Sequence, residues 1–169
     1  MELVNVAYIK NPTIRNTSAI AQSAAEVPVL GCVVPASYLG TFTSIGFRLT
    51  FQISTTAVVG PTLTIKIKFG SAVLTVVSSG LAAGLVNKTF RVEGSISNQS
   101  ATNTQTVWGQ MLQPSSGIFG VLTSNVLESS ASDWSIDTTT DQTAQVTVQF
   151  GTASASNSIR MIGGTMSFG

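Results

Sequence analysis

Apolar side chains recur at every second position over much of the chain after residue 26, which is the period of a pleated strand. Segment 47–53 alternates Phe, Leu, Phe and Ile with Arg, Thr and Gln, and segment 63–69 alternates Leu, Ile, Ile and Phe with Thr and Lys. A Gly-Ser turn at 70–71 leads into a second alternating run at 74–76, so this pair predicts a β-hairpin. The same pattern predicts further strands at 90–96, 104–112, 118–127, 144–150 and 158–168.

Roughly eight to ten such strands, separated by polar turns, predict an all-β fold in which two antiparallel sheets pack as a sandwich. No segment after residue 26 has the length and period of a crossover helix, which argues against a parallel sheet. The 169 residues fit one domain with a sizeable core, which we assign to 27–169.

Residues 1–26 show no sustained period and are broken at Asn11-Pro12, so they are predicted to form an extended N-terminal arm. The stretch 17–26 is compatible with a short Ala-rich helix, but ten residues would need tertiary support to form one. The apolar side chains of the arm need a partner surface, and we predict that they attach the protein to that surface. These are Leu3, Val4, Tyr8, Ile9 and Ile14.

The composition removes most catalytic chemistry. The chain has no histidine, one cysteine, eight Lys and Arg, seven Asp and Glu, and 44 Ser and Thr. Without histidine, neither a Ser-His-Asp nor a Cys-His arrangement can form, and a zinc site would lack its usual ligands. We therefore predict no enzyme activity, no cofactor and no metal. A net charge of +1 without a basic stripe argues against a nucleic-acid partner, and no apolar run approaches the ~20 residues that would make a membrane a partner.

One acidic cluster stands out, Asp133, Asp137 and Asp141, within a Thr-rich connection. An aspartate in such a stretch commonly accepts hydrogen bonds from its own turn, and we favour that role. A calcium site stays open as an alternative, although the spacing does not match an EF-hand loop. Glycoside hydrolysis would need a carboxylate pair, for which Asp133 with Glu128 or Asp137 is the local choice.

The aromatic residues admit two interpretations, a sugar-stacking platform and ordinary packing, of which packing is the more common. Trp108 lies inside a strand-like run and is expected to be buried. Trp134 sits between Asp133 and Ser135 at a loop edge and is the candidate for an exposed recognition contact. The single cysteine, Cys32, is expected to be a small buried hydrophobe.

Few charges and a glycine-spaced, apolar C-terminal strand favour closed assembly around a symmetry axis. We predict a homotrimer with a subunit interface that includes Trp108, Met161, Met166 and Phe168.

Three stretches resemble small bacteriophage virion proteins whose jelly-roll domain is similar to the tumour-necrosis-factor fold. They are LTIKIKFG (63–70), FRVEGSISNQSATNTQTVWGQ (90–110) and QVTVQFGTASASNSIRMIGGTMSF (145–168). The resemblance covers roughly residues 27–169 and does not extend to the arm. It implies that the two-sheet sandwich is a jelly roll. It also implies a homotrimer on a phage particle, acting as a capsid decoration (cement) protein, a head fibre or a tail-fibre tip.

Together with this resemblance, these observations predict a trimeric decoration protein on the capsid exterior that bridges copies of the major capsid protein. Its capsid attachment is assigned to the arm residues Leu3, Val4, Tyr8, Ile9 and Ile14. The alternative is the receptor-binding tip of a head or tail fibre, recognising a host glycan through loops 97–104 and 133–142.

Overall fold

The computed structural model describes residues 14–21, 25–40, 43–55, 61–99, 101–112, 117–118, 126–127, 134–151 and 156–169. All regular structure in these ranges is β. The strands are β1 Ile14–Arg15, β2 Ile20–Ala21, β3 Val27–Val34, β4 Ser44–Ser54, β5 Thr62–Phe69, β6 Ala72–Gly80, β7 Lys88–Asn98, β8 Gln105–Leu112, β9 Val126–Leu127, β10 Gln142–Phe150 and β11 Ser158–Phe168.

The strands form two antiparallel sheets. One has five strands in the order β1-β3-β10-β5-β6, and the other has six in the order β2-β11-β4-β7-β8-β9. Each contains four strands of eight or more residues, and consecutive long strands stay in one sheet at the hairpins β5-β6 and β7-β8. All the remaining connections between consecutive long strands pass from one sheet to the other. The predicted all-β, two-sheet antiparallel sandwich is confirmed.

The core lies between the sheets, where the alternating apolar positions meet. Phe47, Leu49, Phe51 and Ile53 of β4 are all buried, as are the matching residues of β5. Phe51 stacks on Phe90 of the neighbouring strand β7, with ring centroids 5.4 Å apart. The inward faces predicted from the period of two are therefore confirmed.

The described part of the arm belongs to the sandwich. β1 pairs with β3 at the edge of the five-stranded sheet, and β2 pairs with β11 at the edge of the six-stranded sheet. Ile20 is buried in the common core. The short helix considered for 17–26 is wrong for the described residues, because tertiary pairing with two sheet edges satisfies this backbone better than an isolated ten-residue helix.

Glu26 fixes the end of the arm on the five-stranded sheet. Lys66 Nζ and Lys68 Nζ, two residues apart on one face of β5, donate to its two carboxylate oxygens at 2.8 and 2.9 Å. These bonds, first that from Lys66 and then that from Lys68, lower the pKa of Glu26 to about 2. The contact joins the arm to a strand 40 residues further along the chain.

The strand predicted at 118–127 lies mostly outside the described residues. Ile118 is buried, and Val126–Leu127 forms the short strand β9 against Gly109 and Gln110 of β8.

Candidate functional site

The outer face of the six-stranded sheet carries a row of small side chains that ends in a tryptophan. Ser167 of β11 lies opposite Gly46 of β4, which lies opposite Ser95 of β7, which lies opposite Trp108 of β8. Adjacent strands lie roughly 4.8 Å apart, so this row crosses the sheet as a shallow trench. Trp108 stands at its end with 41% of its surface exposed.

The trench is part of a concave groove of about 420 Å³. Its volume falls at the lower end of the range typical of small-ligand sites. Gly46 keeps the floor low, because a Cβ at this position would lie 2.8 Å from Ser167 Oγ. The groove is lined by Gly46, Phe47, Arg48, Glu93, Gly94, Ser95, Trp108, Thr165 and Ser167.

Arg48 and Glu93 line one wall of the groove and belong to a charged cluster centred on Glu93. Arg48 Nε lies 3.0 Å and Arg91 Nη1 lies 3.6 Å from Glu93 Oε1. Gln110 Nε2 donates to Glu93 Oε2 at 3.4 Å. The Glu93 side chain is only 15% exposed, whereas that of Arg48 is 66% exposed. The cluster therefore presents guanidinium groups to the solvent and holds its carboxylate beneath them.

Three of the four residues predicted for a subunit interface lie in the core of a single chain. Met161, Met166 and Phe168 are buried between the two sheets. Phe168 packs edge-on against Tyr38, with ring centroids 5.2 Å apart. Their assignment to an interface is corrected, because the alternation of β11 directs them inward.

Trp108 and Trp134 exchange the environments expected for them. Trp108 is exposed because it faces outward between the inward residues Val107 and Gly109. Trp134 is partly buried and packs against the core, and its backbone forms an isolated bridge with Gln105. The expectation of a buried Trp108 and an exposed recognition contact at Trp134 is therefore corrected.

Where the acidic cluster is described, Asp137 acts within its own turn, as predicted, whereas Asp141 binds a loop distant in the sequence. Asp137 Oδ1 accepts hydrogen bonds from Thr139 N at 2.9 Å and Thr139 Oγ1 at 2.6 Å, which lower the pKa of Asp137. Asp141 Oδ1 accepts one from Ala36 N at 2.8 Å. Asp133 and Glu128 lie outside the described residues. Within those ranges no group of three acidic, cysteine or histidine side chains is placed to hold a metal.

A buried amide network holds the loops at this end of the sandwich. Gln105 donates to Asn98 Oδ1 at 3.1 Å and to the Ile136 carbonyl at 2.9 Å, and its Oε1 accepts from Ile136 N at 2.9 Å. Asn98 Nδ2 donates to the carbonyls of Leu39 and Gly40 at 3.1 and 3.0 Å. Sequence reasoning missed this network because Asn and Gln look like surface residues. The sequence does contain one indication of the network, since Gln105 is two residues from the apolar Val107 in the same strand and so points to the same, inward face.

Most of the arm residues predicted to attach the protein to a capsid lie outside the described part of the chain. Leu3, Val4, Tyr8 and Ile9 lie outside it. Ile14 is described. It lies in β1, pairs with Gly31 of β3, and its side chain is half-buried.

Cys32 has the buried environment expected for it. Its thiol contacts Met166 Sδ at 3.5 Å, and burial raises its pKa to about 11. A thiol with so high a pKa is scarcely ionised near neutral pH and is a poor nucleophile.

The comparisons with known proteins bear only on overall shape. No protein-family model matches the chain, and no curated protein matches it. It is similar to a chain in a solved structure entitled "Structure of infectious bursal disease virus Gx strain", with a TM-score of 0.32 and 14% identity. The match covers 94% of this chain and 30% of that one, so this chain spans about a third of the length of the viral chain. At this TM-score the likeness carries no weight for function.

No helix in the described ranges has the length and hydropathy needed to cross a membrane.

Proposed function

We propose that this protein is a non-enzymatic structural component of a bacteriophage virion, a homotrimeric decoration protein on the capsid exterior that bridges copies of the major capsid protein. Its role would be to add buried area between capsid subunits, which favours the intact shell by mass action. Neither nucleic acid nor a membrane is a partner in this proposal.

The structural role is supported above all by the described carboxylates, each of which binds another group of the fold. Glu26 binds two lysines, Glu93 lies beneath two arginines, Asp137 holds its own turn and Asp141 caps the loop at Ala36. All four acidic side chains within the described residues thus stabilise the fold. A pair of free carboxylates facing each other across a cleft, which glycoside hydrolysis requires, is not among them.

The surface supports assembly through a few exposed apolar side chains. Within the described ranges most apolar residues are buried in the core, so fewer of them are left for an interface than the composition suggested. Val33 and Val73 are about half exposed on the five-stranded sheet, and Val86 is 71% exposed in the connection before β7. Ile162 lies at a bulge of β11, where the register with β4 shifts, and is 47% exposed. The resemblance to trimeric phage virion proteins is the basis for the trimer.

Light scattering coupled to size exclusion tests the trimer. A monomeric mass at micromolar concentration would refute it. Ile162→Asp should dissociate the trimer, because it places a charge in the proposed interface. The matched control is Asn103→Asp, an exposed change in the turn between β7 and β8, which should leave the mass unchanged.

Capsids that lack the protein test the cement role. Adding the purified chain should raise the temperature at which such capsids rupture. Equal rupture temperatures with and without bound protein would refute this role and favour the receptor-binding alternative.

That alternative, a fibre tip that recognises a host glycan, is favoured by one observation, the groove beside Trp108. The loops first proposed for recognition, 97–104 and 133–142, are instead tied together where described by the buried amides of Asn98 and Gln105.

A further inference from the structure

The groove on the six-stranded sheet combines an exposed aromatic face, a floor of small residues and one largely exposed guanidinium group, that of Arg48. We propose that it binds an acidic sugar, that is, a pyranose ring bearing a carboxylate. This inference does not depend on the virion position or the trimer of the proposed function.

The aromatic face and the floor suit a sugar ring. A tryptophan offers a large flat apolar surface together with an N–H donor, which fits a ligand with an apolar ring face and a hydroxylated edge. Ser95 and Ser167 line the groove and place hydroxyl groups on either side of Gly46. A hydroxyl both donates and accepts, so this floor can pair with sugar hydroxyls in either direction.

The charges select an acidic ligand. Arg48, Arg91 and Arg160 lie on this face of the sheet against a single described carboxylate, Glu93, so the face carries a net charge of +2 by the sum 3 − 1. Arg48 contacts Glu93 through Nε, and its largely exposed guanidinium can present its Nη atoms to an incoming anion. A planar guanidinium binds a carboxylate through two parallel hydrogen bonds.

The same features argue against a subunit contact as the occupant of the groove. The buried centre of a protein interface is depleted in charged residues, whereas here the Arg48–Glu93 ion pair lines the concavity. A polar ligand keeps these groups hydrogen-bonded, while an apolar partner surface would desolvate them without replacement.

Titration calorimetry on the full chain tests the proposal. The acidic probes are trigalacturonate, 3′-sialyllactose and a hyaluronan tetrasaccharide, and the neutral probe is galactotriose. At least one acidic probe should bind, with an affinity at least about tenfold above that of galactotriose. Absence of binding by all three acidic probes at about 10 mM would overturn the proposal, as would equal affinity for the neutral one.

Variants locate the site. Trp108→Ala should weaken binding by at least about tenfold, and Arg48→Gln should remove the preference for the acidic probe over the neutral one. Gly46→Ala should weaken binding by raising the floor, since Ser167 can rotate away from the added methyl. Arg160→Gln, on the same face but outside the groove lining, is the matched control and should retain binding.

Light scattering and thermal melts on the same variants separate the outcomes. If Trp108→Ala dissociates the assembly while the acidic probes fail to bind the wild-type chain, the groove is a subunit interface and the proposal is wrong. If the trimer proves wrong but acidic-sugar binding is lost in Trp108→Ala, the sugar site stands without the proposed function.

Discussion

The side-chain amide of Gln105 donates a hydrogen bond to Asn98 Oδ1 at 3.1 Å, and both side chains are buried. Asn98 ends β7 and Gln105 begins β8, so the bond spans the connection of this hairpin. Through their remaining hydrogen bonds, the two amides also hold the Leu39–Gly40 segment and the chain at Ile136. A fully satisfied buried polar network of this kind specifies one arrangement of the loops that it joins.

Replacing Gln105 by leucine should lower the free energy of unfolding by about 2 kcal/mol or more, because the backbone N–H and carbonyl of Ile136 and the side-chain oxygen of Asn98 would lose this buried partner. Urea denaturation measures the change. Gln145→Ala, a half-buried position on the outer face of the five-stranded sheet, is the control and should change the stability by less than about 0.5 kcal/mol. Equal losses in the two variants would contradict a structural role for the network.

Glu26 should make stability depend on acid pH. Its pKa is lowered from 4.5 to about 2 by Lys66 and Lys68. A depressed folded-state pKa contributes stability that is fully present above the unfolded value and is lost as the pH falls from about 4.5 towards about 2. Thermal melts between these pH values should therefore show a steeper loss of stability for the wild type than for Glu26→Gln. Parallel curves would show that the ion pairs do not form in solution.

The two aromatic residues once grouped in an interface should respond differently to truncation. Phe168→Ala should cost about 3–5 kcal/mol, the range for a buried phenylalanine, because it leaves a cavity beside Tyr38. Trp108→Ala should cost much less, since Trp108 is exposed. Chemical denaturation of the dissociated chain separates these values from any effect of assembly. A larger loss for Trp108 than for Phe168 would contradict the assignment of Phe168 to the core.

The arm should contribute to the stability of the sandwich through Ile20. Ile20→Ala should lower the free energy of unfolding by about 2–3 kcal/mol, because its side chain is buried in the shared core. Ile14→Ala, at a half-buried position in β1, is the matched control and should cost less. Denaturant titration of both variants measures the difference, and an unchanged midpoint for Ile20→Ala would separate the arm from the core.

The sequence alone determined the class of the fold and the direction of most strand side chains. The period of two is local, so Phe47 to Ile53 and Leu63 to Phe69 could be assigned to the core without knowing their neighbours. The same parity places Gln105 inward and Trp108 outward. For these two residues the usual environment of the residue type gives the opposite expectation, since a glutamine is usually exposed and a tryptophan usually buried, and the parity is the correct guide.

Only the tertiary structure decided which strands are neighbours and at what register. The groove exists because β11, β4, β7 and β8 bring Ser167, Gly46, Ser95 and Trp108 into one row, although these residues are scattered from position 46 to position 167. The pairing of the arm with both sheet edges depends likewise on partners far away in the chain. Side-chain period is set by each strand's own pleat, whereas register is set by hydrogen bonds and packing between distant segments, which no single stretch of sequence encodes.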